Sequence, residues 1–288
     1  MHPTELKVNL FLQNALEGKT TITEEVADKV ASDVRSAMLK QFSGGPRDDF
    51  RLRMSNIGKP TCQLWHQKNK AESKAPYEPH FLINMIIGDI VEAVFKGLLT
   101  SAGIVFDDND TVSLDLGELG HIKGEYDMIL DGAVDDVKSA SNYSFNTRFS
   151  SFEKLIEKDT FGYIPQLVGY GVAANKEIGG FWVINKENGS FKYVNINAVD
   201  KESVLEKIKE TVSYIQEDKP FERCFEPVPE YHNRQPSGNM KLGETCRWCN
   251  FKSVCWENLQ TLPSRVSKAR VLPMVDYVLI NDNKETVI

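Results

Sequence analysis

The chain of 288 residues lacks any stretch that reads as a signal peptide or a membrane span. Residues 1–20 show no basic start followed by a sustained apolar run. The most apolar stretch, 81–99, is broken by Asn84, Asp89, Glu92 and Lys96. The expectation is a protein with no membrane association. Positive charge is also in deficit. Against 41 Asp and Glu stand 34 Lys and Arg, a formal charge of −7, so bulk composition does not attract a polyanion. Any nucleic-acid contact has to come from a local basic surface opposed by the rest of the field. An even cysteine count is missing as well. Five cysteines do not make a disulfide framework, and the spacing of four of them points to metal, which fits a reducing, cytoplasmic compartment. Internal repeats and low-complexity tracts are absent. What remains, 41% hydrophobic and 26% charged, is an ordinary globular composition able to bury one sizeable core with appendages or two modest ones.

Periodicity and breakers divide the chain. Residues 1–50 read as a helical appendage, with helices at 3–16 and 24–42 separated by Gly18 and a Thr20 to Thr23 cap region and closed by Ser43-Gly44-Gly45-Pro46. From 51 to 74 the charge turns positive, with Arg51, Arg53, Lys59, Lys68, Lys70 and Lys74 against the single acid Glu72, and with Trp65 and His66 inside. A long helix is predicted from Pro79 to the terminating Gly103. Strands follow at 111–116, 121–130 and 133–140, then a polar and aromatic connection, a helix at 161–174, and a hairpin of 180–185 with 191–197 around Asn188-Gly189. An amphipathic helix at 202–217 leads into a cysteine-bearing segment, 221–265, and a tail, 266–288. The succession implies an α/β core, 51–220, with a mixed central sheet flanked by helices.

The chemistry-bearing residues concentrate on the second and third strands. Asp131-Gly132 is a strong signal for a two-residue type I′ turn, which fixes the register. Leu130 then faces Ala133, and Asp127 faces Asp136 in a non-hydrogen-bonded pair. Two carboxylates roughly 5 Å apart repel by about 3 kcal/mol at an effective dielectric near 20, unless a cation fills the gap. Lys138 projects to the same face as Asp136, leaving Val134, Met128 and Val137 for the other. A solvated, charge-decorated hairpin is the plain alternative.

Three further patterns lie along the chain. On the long helix, Asn84, Gly88, Glu92 and Lys96 form a polar stripe at four-residue spacing, with Gly88 removing bulk one turn before Glu92. A solvated helix face explains such a stripe equally well. Downstream, Gln166 and Tyr170 share one helix face, where a tyrosine at the core edge is the ordinary reading. Finally, Cys246, Cys249 and Cys255 are spaced C-x2-C-x5-C, with Cys62 available as a fourth thiolate. Four thiolates suit a four-iron cluster or a zinc ion, and the single CxxC pair is unlike a zinc ribbon. Cys224 fits no pattern and reads as an ordinary free thiol.

Taken in order, cysteine, Gly…Glu helix, Asp hairpin, DxK, QxxxY and three cysteines resemble the PD-(D/E)xK nuclease superfamily. The likeness is to its RecB-like exonuclease branch with a four-cysteine iron–sulfur cluster, as in CRISPR-associated and AddB-type exonucleases. It covers Cys62 to Cys255. It implies a restriction-endonuclease-like core in which Glu92, Asp127 and Asp136 hold one or two Mg²⁺ or Mn²⁺ ions, with the main-chain carbonyl of Val137 a further ligand. Lys138 would orient the attacking water or stabilise the transition state, and Gln166 and Tyr170 would position the lysine, the metal site or the DNA. Cys62, Cys246, Cys249 and Cys255 would hold a [4Fe-4S] cluster. Glu92 stands where many CRISPR-associated relatives have histidine. The implied activity is metal-dependent DNA exonuclease action on single strands or ends in recombination, repair or phage DNA processing. The alternatives are a CRISPR adaptation nuclease that trims prespacers, and a non-catalytic DNA-binding assembly subunit. DNA is the expected partner, with a homo-oligomer or a recombination or replication protein left open. Basic segments 51–74 and 241–252 would form a strand groove, and 143–152, with Arg148 and three phenylalanines, would stack bases.

Overall fold

A computed structural model of the chain describes residues 2–43 and 50–281. It forms two compact units, Met1–Gly58 with Glu78–Ser213, and Lys59–Tyr77 with Tyr214–Ile288. Helix α1 (Pro3–Leu16) starts behind a capping box in which the His2 ring accepts the Thr4 N–H and Glu5 accepts the His2 N–H. Helix α2 (Glu24–Gln41) starts at Thr23, whose hydroxyl accepts the Val26 N–H at 3.3 Å. Of the turn expected after it, Gly44, Gly45 and Pro46 lie outside the described residues. Helix α3 (Thr61–Asn69) belongs to the second unit, and α4 (Pro79–Ser101) returns to the first with proline in its opening turn, as expected.

Strands β1 (Phe106–Asp115), β2 (His121–Leu130) and β3 (Ala133–Ala140) follow. The aromatic connection folds into α5 (Asn142–Asn146) and α6 (Phe152–Glu157), ahead of α7 (Tyr163–Ala174). Half-buried Asp159 starts α7 by accepting the N–H groups of Tyr163 and Ile164 at 2.8 and 2.9 Å. Then come the hairpin of β4 (Glu177–Asn185) and β5 (Phe191–Asn195), and helix α8 (Lys201–Gln216).

The sheet runs β1-β2-β3-β4-β5, with every neighbouring pair antiparallel except β3 and β4. A parallel pair needs a crossover, and the α5 to α7 segment supplies it. The result is the expected mixed sheet flanked by helices. One face of it carries Met128, Leu130, Val137 and Trp182 against Val8 of α1 and Phe95 and Leu99 of α4. The other carries Val134, Ala140, Phe181 and Val183 against Leu167 and Val168 of α7 and Ile208 and Val212 of α8. Each fully buried side chain of this size contributes about 2 kcal/mol. Val134 is thus on the α7 face, not with Met128 and Val137, because alternation puts it on the side of Ala140. Residues 1–43 are also more than an appendage. Val8 is fully buried in the core, and the Glu5 carboxylate accepts the Tyr193 N–H at 3.0 Å.

In the second unit, β6 (Val228–His232), β7 (Gln235–Lys241), the short helices α9 (Glu244–Arg247) and α10 (Lys252–Cys255), β8 (Gln260–Pro263) and β9 (Met274–Leu279) build a sheet of order β6-β7-β9-β8. Segment 266–288, read as a tail, therefore supplies a strand. Tyr277 of β9 is fully buried and donates to Glu230 at 2.7 Å. Its polar context hid this, since Asp276 points inward to accept from Thr261 and Lys252. Among the described residues no helix is long and apolar enough to cross a membrane.

Candidate functional site

At the β2–β3 turn, Asp131 and Gly132 both have positive φ, 52° and 85°, as a type I′ turn requires. The ladder pairs Leu130 with Ala133, Ile129 with Val134 and Met128 with Asp135, the expected register, and ends there. One step further Asp127 and Asp136 form no ladder pair. Instead Asp127 Oδ2 accepts the main-chain N–H of Val137 at 2.7 Å, and β3 shifts register against β4 between Val134 and Asp136. Leaving the ladder at this point frees the two strands to splay, and the Asp127 carboxylate is held by a main-chain N–H of the neighbouring strand.

Asp136 is 2% exposed, and its Oδ2 is enclosed without a well-directed hydrogen bond, although the Lys138 ammonium pairs with it ionically. Burial pushes the Asp127 carboxyl up to about 7, reinforced by the Asp136 charge. Burial also raises Asp136, with Glu92 and Asp135 adding to the shift while Lys138 opposes it. Glu92 of α4 is raised in turn by burial and by Asp127, against Lys96, whose Nζ lies 2.8 Å from Glu92 and 2.9 Å from Asp108. The three carboxylates therefore sit in one field and oppose one another's ionisation. Burial works against the Lys138 ammonium, but Asp136 and Asp127 outweigh it and hold the lysine charged, with its Nζ 5.1 Å above the Tyr163 ring.

Tyr170 of α7 joins the same group. Its hydroxyl is pushed up to about 12 by burial, with Asp136 and Asp127 adding to the shift, and it accepts a hydrogen bond from Gln166 Nε2 at 3.2 Å. The ring reaches β2 because position 124 is glycine. A Cβ there would stand 2.7 Å from the Tyr170 ring and 2.3 Å from Met54. Asp127, Asp136 and Lys138, which the turn register had linked, thus converge with Glu92 and Tyr170, which only the order of motifs had added, and Gln166 is one hydrogen bond away. Gly88 is different, since a Cβ there would meet nothing within 4 Å, so packing does not require it. Lys96 of the same stripe is buried and ion-paired, unlike a solvated face.

An open cleft of about 820 Å³ adjoins the carboxylates, lined among others by Glu92 and Asp127 and by Lys40, Arg51, Arg53 and Lys123. The basic segment 51–74 is divided by the fold. Arg51 and Arg53 line this cleft, whereas Lys68 belongs to the second unit and pairs with Asp218. Lys252 of the segment 241–252 is similarly tied to Asp276 at 2.7 Å. Segment 143–152 gives its phenylalanines to packing, not to an open stacking face. Phe149 is buried and Phe145 and Phe152 lean on the same core, while Arg148 donates to the Lys158 carbonyl. Alternating aromatic and polar residues in a crossover look the same in sequence whether they face solvent or sheet.

Sequence reasoning missed Asp135. It is buried and accepts from Gly180 N–H, Trp182 Nε1 and Tyr193 OH at 2.8 to 2.9 Å, which anchors β3 beside the register shift. The doubled Asp135-Asp136 was the available signal, because on a strand the two must face opposite ways.

In the second unit Cys62, Cys246, Cys249 and Cys255 line one cavity, together with His66 and Trp256. Cys224 is no isolated thiol, contrary to expectation. Its Sγ accepts the Cys62 N–H at 3.1 Å and lies 3.2 Å from Thr61 Oγ1. Burial raises Cys246 to about 11 and raises Cys249 and Cys255, and their charges oppose one another. Several thiolates together are favourable only with a cation among them.

Among the described residues, no group of three or more His, Cys, Asp or Glu side chains is spaced as it stands to hold a metal. In donor type, the all-oxygen set of carboxylates that oppose one another's ionisation fits a hard divalent ion. The four-sulfur set, in a cavity also lined by His66 and Trp256, whose buried ring nitrogens lack partners, fits a sulfur-ligated metal group.

No family model matches the chain, and no curated protein matches it. Among solved structures, one described as "Crystal structure of SSO0001" is similar over 82% of this chain and 98% of its own, with 12% identity and a TM-score of 0.42. So loose a likeness bears on no chemistry.

Proposed function

We propose that the chain is a divalent-cation-dependent deoxyribonuclease of the PD-(D/E)xK type, an exonuclease acting on single-stranded DNA or DNA ends, with a restriction-endonuclease-like core. In the same reading Cys62, Cys246, Cys249 and Cys255 hold a [4Fe-4S] cluster. The observation that carries it is the trio Glu92, Asp127 and Asp136. These carboxylates are pushed toward protonation by burial and by each other, and a charged lysine, Lys138, pairs with the enclosed Asp136 Oδ2. A purely structural acid resembles Asp135, with a donor for each oxygen.

Glu92, Asp127 and Asp136, with the Val137 carbonyl, would hold Mg²⁺ or Mn²⁺. When bound, the cation supplies Lewis-acid activation of water and neutralises charge on the phosphate. Lys138, kept charged by its neighbours, stabilises the negative charge that builds on the phosphoryl oxygens as water attacks phosphorus and the bond to the 3′ oxygen breaks. The 3′ oxygen leaves with a proton, and the new end is a 5′-phosphate. The Val137 N–H fixes Asp127 Oδ2 in place. Tyr170 stays protonated at neutral pH, and the Gln166 amide fixes its orientation, so its own O–H is directed away from that amide. Lys40, Arg51, Arg53 and Lys123 line the cleft beside Glu125, and with Glu92 and Asp127 engaged on a cation they would outweigh it and give the local positive charge that a chain of charge −7 needs to receive a polyanion.

The test is an anaerobic assay on labelled single- and double-stranded oligonucleotides with Mg²⁺, Mn²⁺ or EDTA. Cleavage to 5′-phosphate products only with a divalent ion is expected. An intact, cluster-loaded protein that cuts neither substrate under any of these conditions would remove the enzyme reading and leave a DNA-binding subunit.

A further inference from the structure

Five buried side-chain polar atoms lack a hydrogen-bond partner among the described residues, and three of them belong to residues that line the cysteine cavity. They are both ring nitrogens of His66 and the indole nitrogen of Trp256. His66 is 4% exposed and lies one turn after Cys62 on α3, so the two share a helix face. Phe251 stacks on the His66 ring at 5.5 Å and Phe221 tilts against it at 4.6 Å, which fixes its plane. Trp256 is 7% exposed and follows Cys255 directly. Arg223 covers its ring at 4.5 Å while donating twice to the Cys255 carbonyl, at 3.0 and 2.8 Å. A buried N–H without an acceptor costs about 1–3 kcal/mol, so native proteins keep few of them. Two such donors, each locked by aromatic or cationic packing and each on a residue that lines a cavity shared with four cysteine sulfurs as well as Gln63, Thr245 and Lys252, point to an acceptor held in that cavity.

We infer that His66 and Trp256 donate hydrogen bonds to the sulfur atoms of the group held by the four cysteines, and thereby set its reduction potential. The inference rests on the iron–sulfur reading of the cavity. Four thiolates complete the ligand set, so the imidazole is a donor and not a ligand. An N–H···S bond favours the more electron-rich reduced state, as outer hydrogen bonds do at metal centres generally.

The test compares anaerobically purified parent with His66→Phe, His66→Gln and Trp256→Phe. Iron and sulfide content come first, then the midpoint potential by spectroelectrochemical titration. His66→Phe keeps the aromatic packing and loses the donors, whereas His66→Gln keeps an N–H. We expect parental iron and sulfide in all three. At a fixed poise the reduced-to-oxidised ratio falls about tenfold in His66→Phe and in Trp256→Phe, equivalent to about 59 mV for one electron, with His66→Gln nearer the parent. Unchanged potentials in both phenylalanine variants, with clusters present, would overturn the inference and leave the cluster reading intact. Loss of iron in His66→Phe that His66→Gln does not restore would make His66 a ligand and also overturn it. A parent without iron and sulfide would remove the cluster reading itself. Should His66→Phe not fold, pulsed EPR of the reduced parent carrying isotopically labelled histidine decides. Weak nitrogen coupling is expected, and either strong coupling or none contradicts the inference.

Discussion

Asp135 and Asp136 are neighbours on one strand, are equally buried, and have opposite surroundings. Asp135 receives three hydrogen bonds from neutral donors, whereas the enclosed Asp136 Oδ2 has the Lys138 ammonium beside it and sits in the field of Glu92. The second unit repeats the contrast with the sign reversed. Glu230 is buried and satisfied by Tyr277 and Asn239 at 2.7 Å each, while His66 and Trp256 are buried donors without acceptors. Residue type and burial thus do not separate a structural polar group from one awaiting a ligand. The count of partners does. In the first unit the under-partnered group is a carboxylate among carboxylates, paired with the Lys138 ammonium, a setting that favours a further cation. In the second the unmet groups are donors among thiols and call for electron-rich sulfur.

The largest expected effect breaks this comparison at Asp136. Asp136→Asn and Lys138→Met should each lower the cleavage rate by about a thousandfold or more, the upper range for removing one transition-state stabiliser. Asp136→Asn should also weaken Mn²⁺ binding, and Lys138→Met should leave it nearly unchanged. Asp135→Asn should do the reverse of both, costing stability through its three donors, on the order of 3 kcal/mol, while the remaining folded fraction cuts. Equal losses of activity per folded molecule at 135 and 136 would erase the distinction.

Next is Cys62→Ser. Cys62 and Cys246 lie in the two separate segments of the second unit, so a cluster bonded to both closes a very long loop. Such closure is worth on the order of 4–5 kcal/mol. The variant should lose the brown chromophore and melt at a markedly lower temperature. Cys224→Ser should retain iron and sulfide, because a serine oxygen can still accept the Cys62 N–H. If Cys224→Ser lost them and Cys62→Ser did not, the ligand set would have to be redrawn around Cys224.

A smaller effect concerns pH. Burial raises Asp127 to about 7 and Asp135 to about 6 in the folded protein, above an ordinary carboxylate near 3.9. Groups raised in the folded state contribute stability that is complete below about 4 and is lost as pH climbs through their folded values. Without divalent ions the melting temperature should therefore fall between pH 5 and pH 8. Asp127→Asn should flatten the slope in part, and Mn²⁺ should restore stability at pH 8. A melting temperature that rises across this window would contradict the burial assigned to Asp127. The smallest effect is at Glu92. Glu92→Gln keeps an oxygen and loses the charge, so activity should fall at low metal and recover in part at high Mn²⁺, read from initial rates across a metal titration.

Much of the site was legible because its determinants are local. Asp131-Gly132 fixed the β2–β3 register, and four-residue spacing put Gln166 and Tyr170 within one hydrogen bond. What escaped is set by distant partners. No local pattern tells that the ladder stops before Asp127, that Phe149 turns into the core, that Cys224 lies against Cys62, or that Met274–Leu279 completes a sheet around an inward Asp276. Each depends on which element the fold brings alongside.

The most direct test of the central claim is the hydrolysis rate of a labelled oligonucleotide as a function of Mn²⁺ concentration, for the parent and for Asp136→Asn with matched iron content. The account predicts a metal-dependent, EDTA-sensitive parental rate and no measurable hydrolysis by Asp136→Asn at any Mn²⁺ concentration below the millimolar range. Cleavage by Asp136→Asn at the parental rate and with the parental metal dependence would show that the enclosed carboxylate holds no catalytic cation.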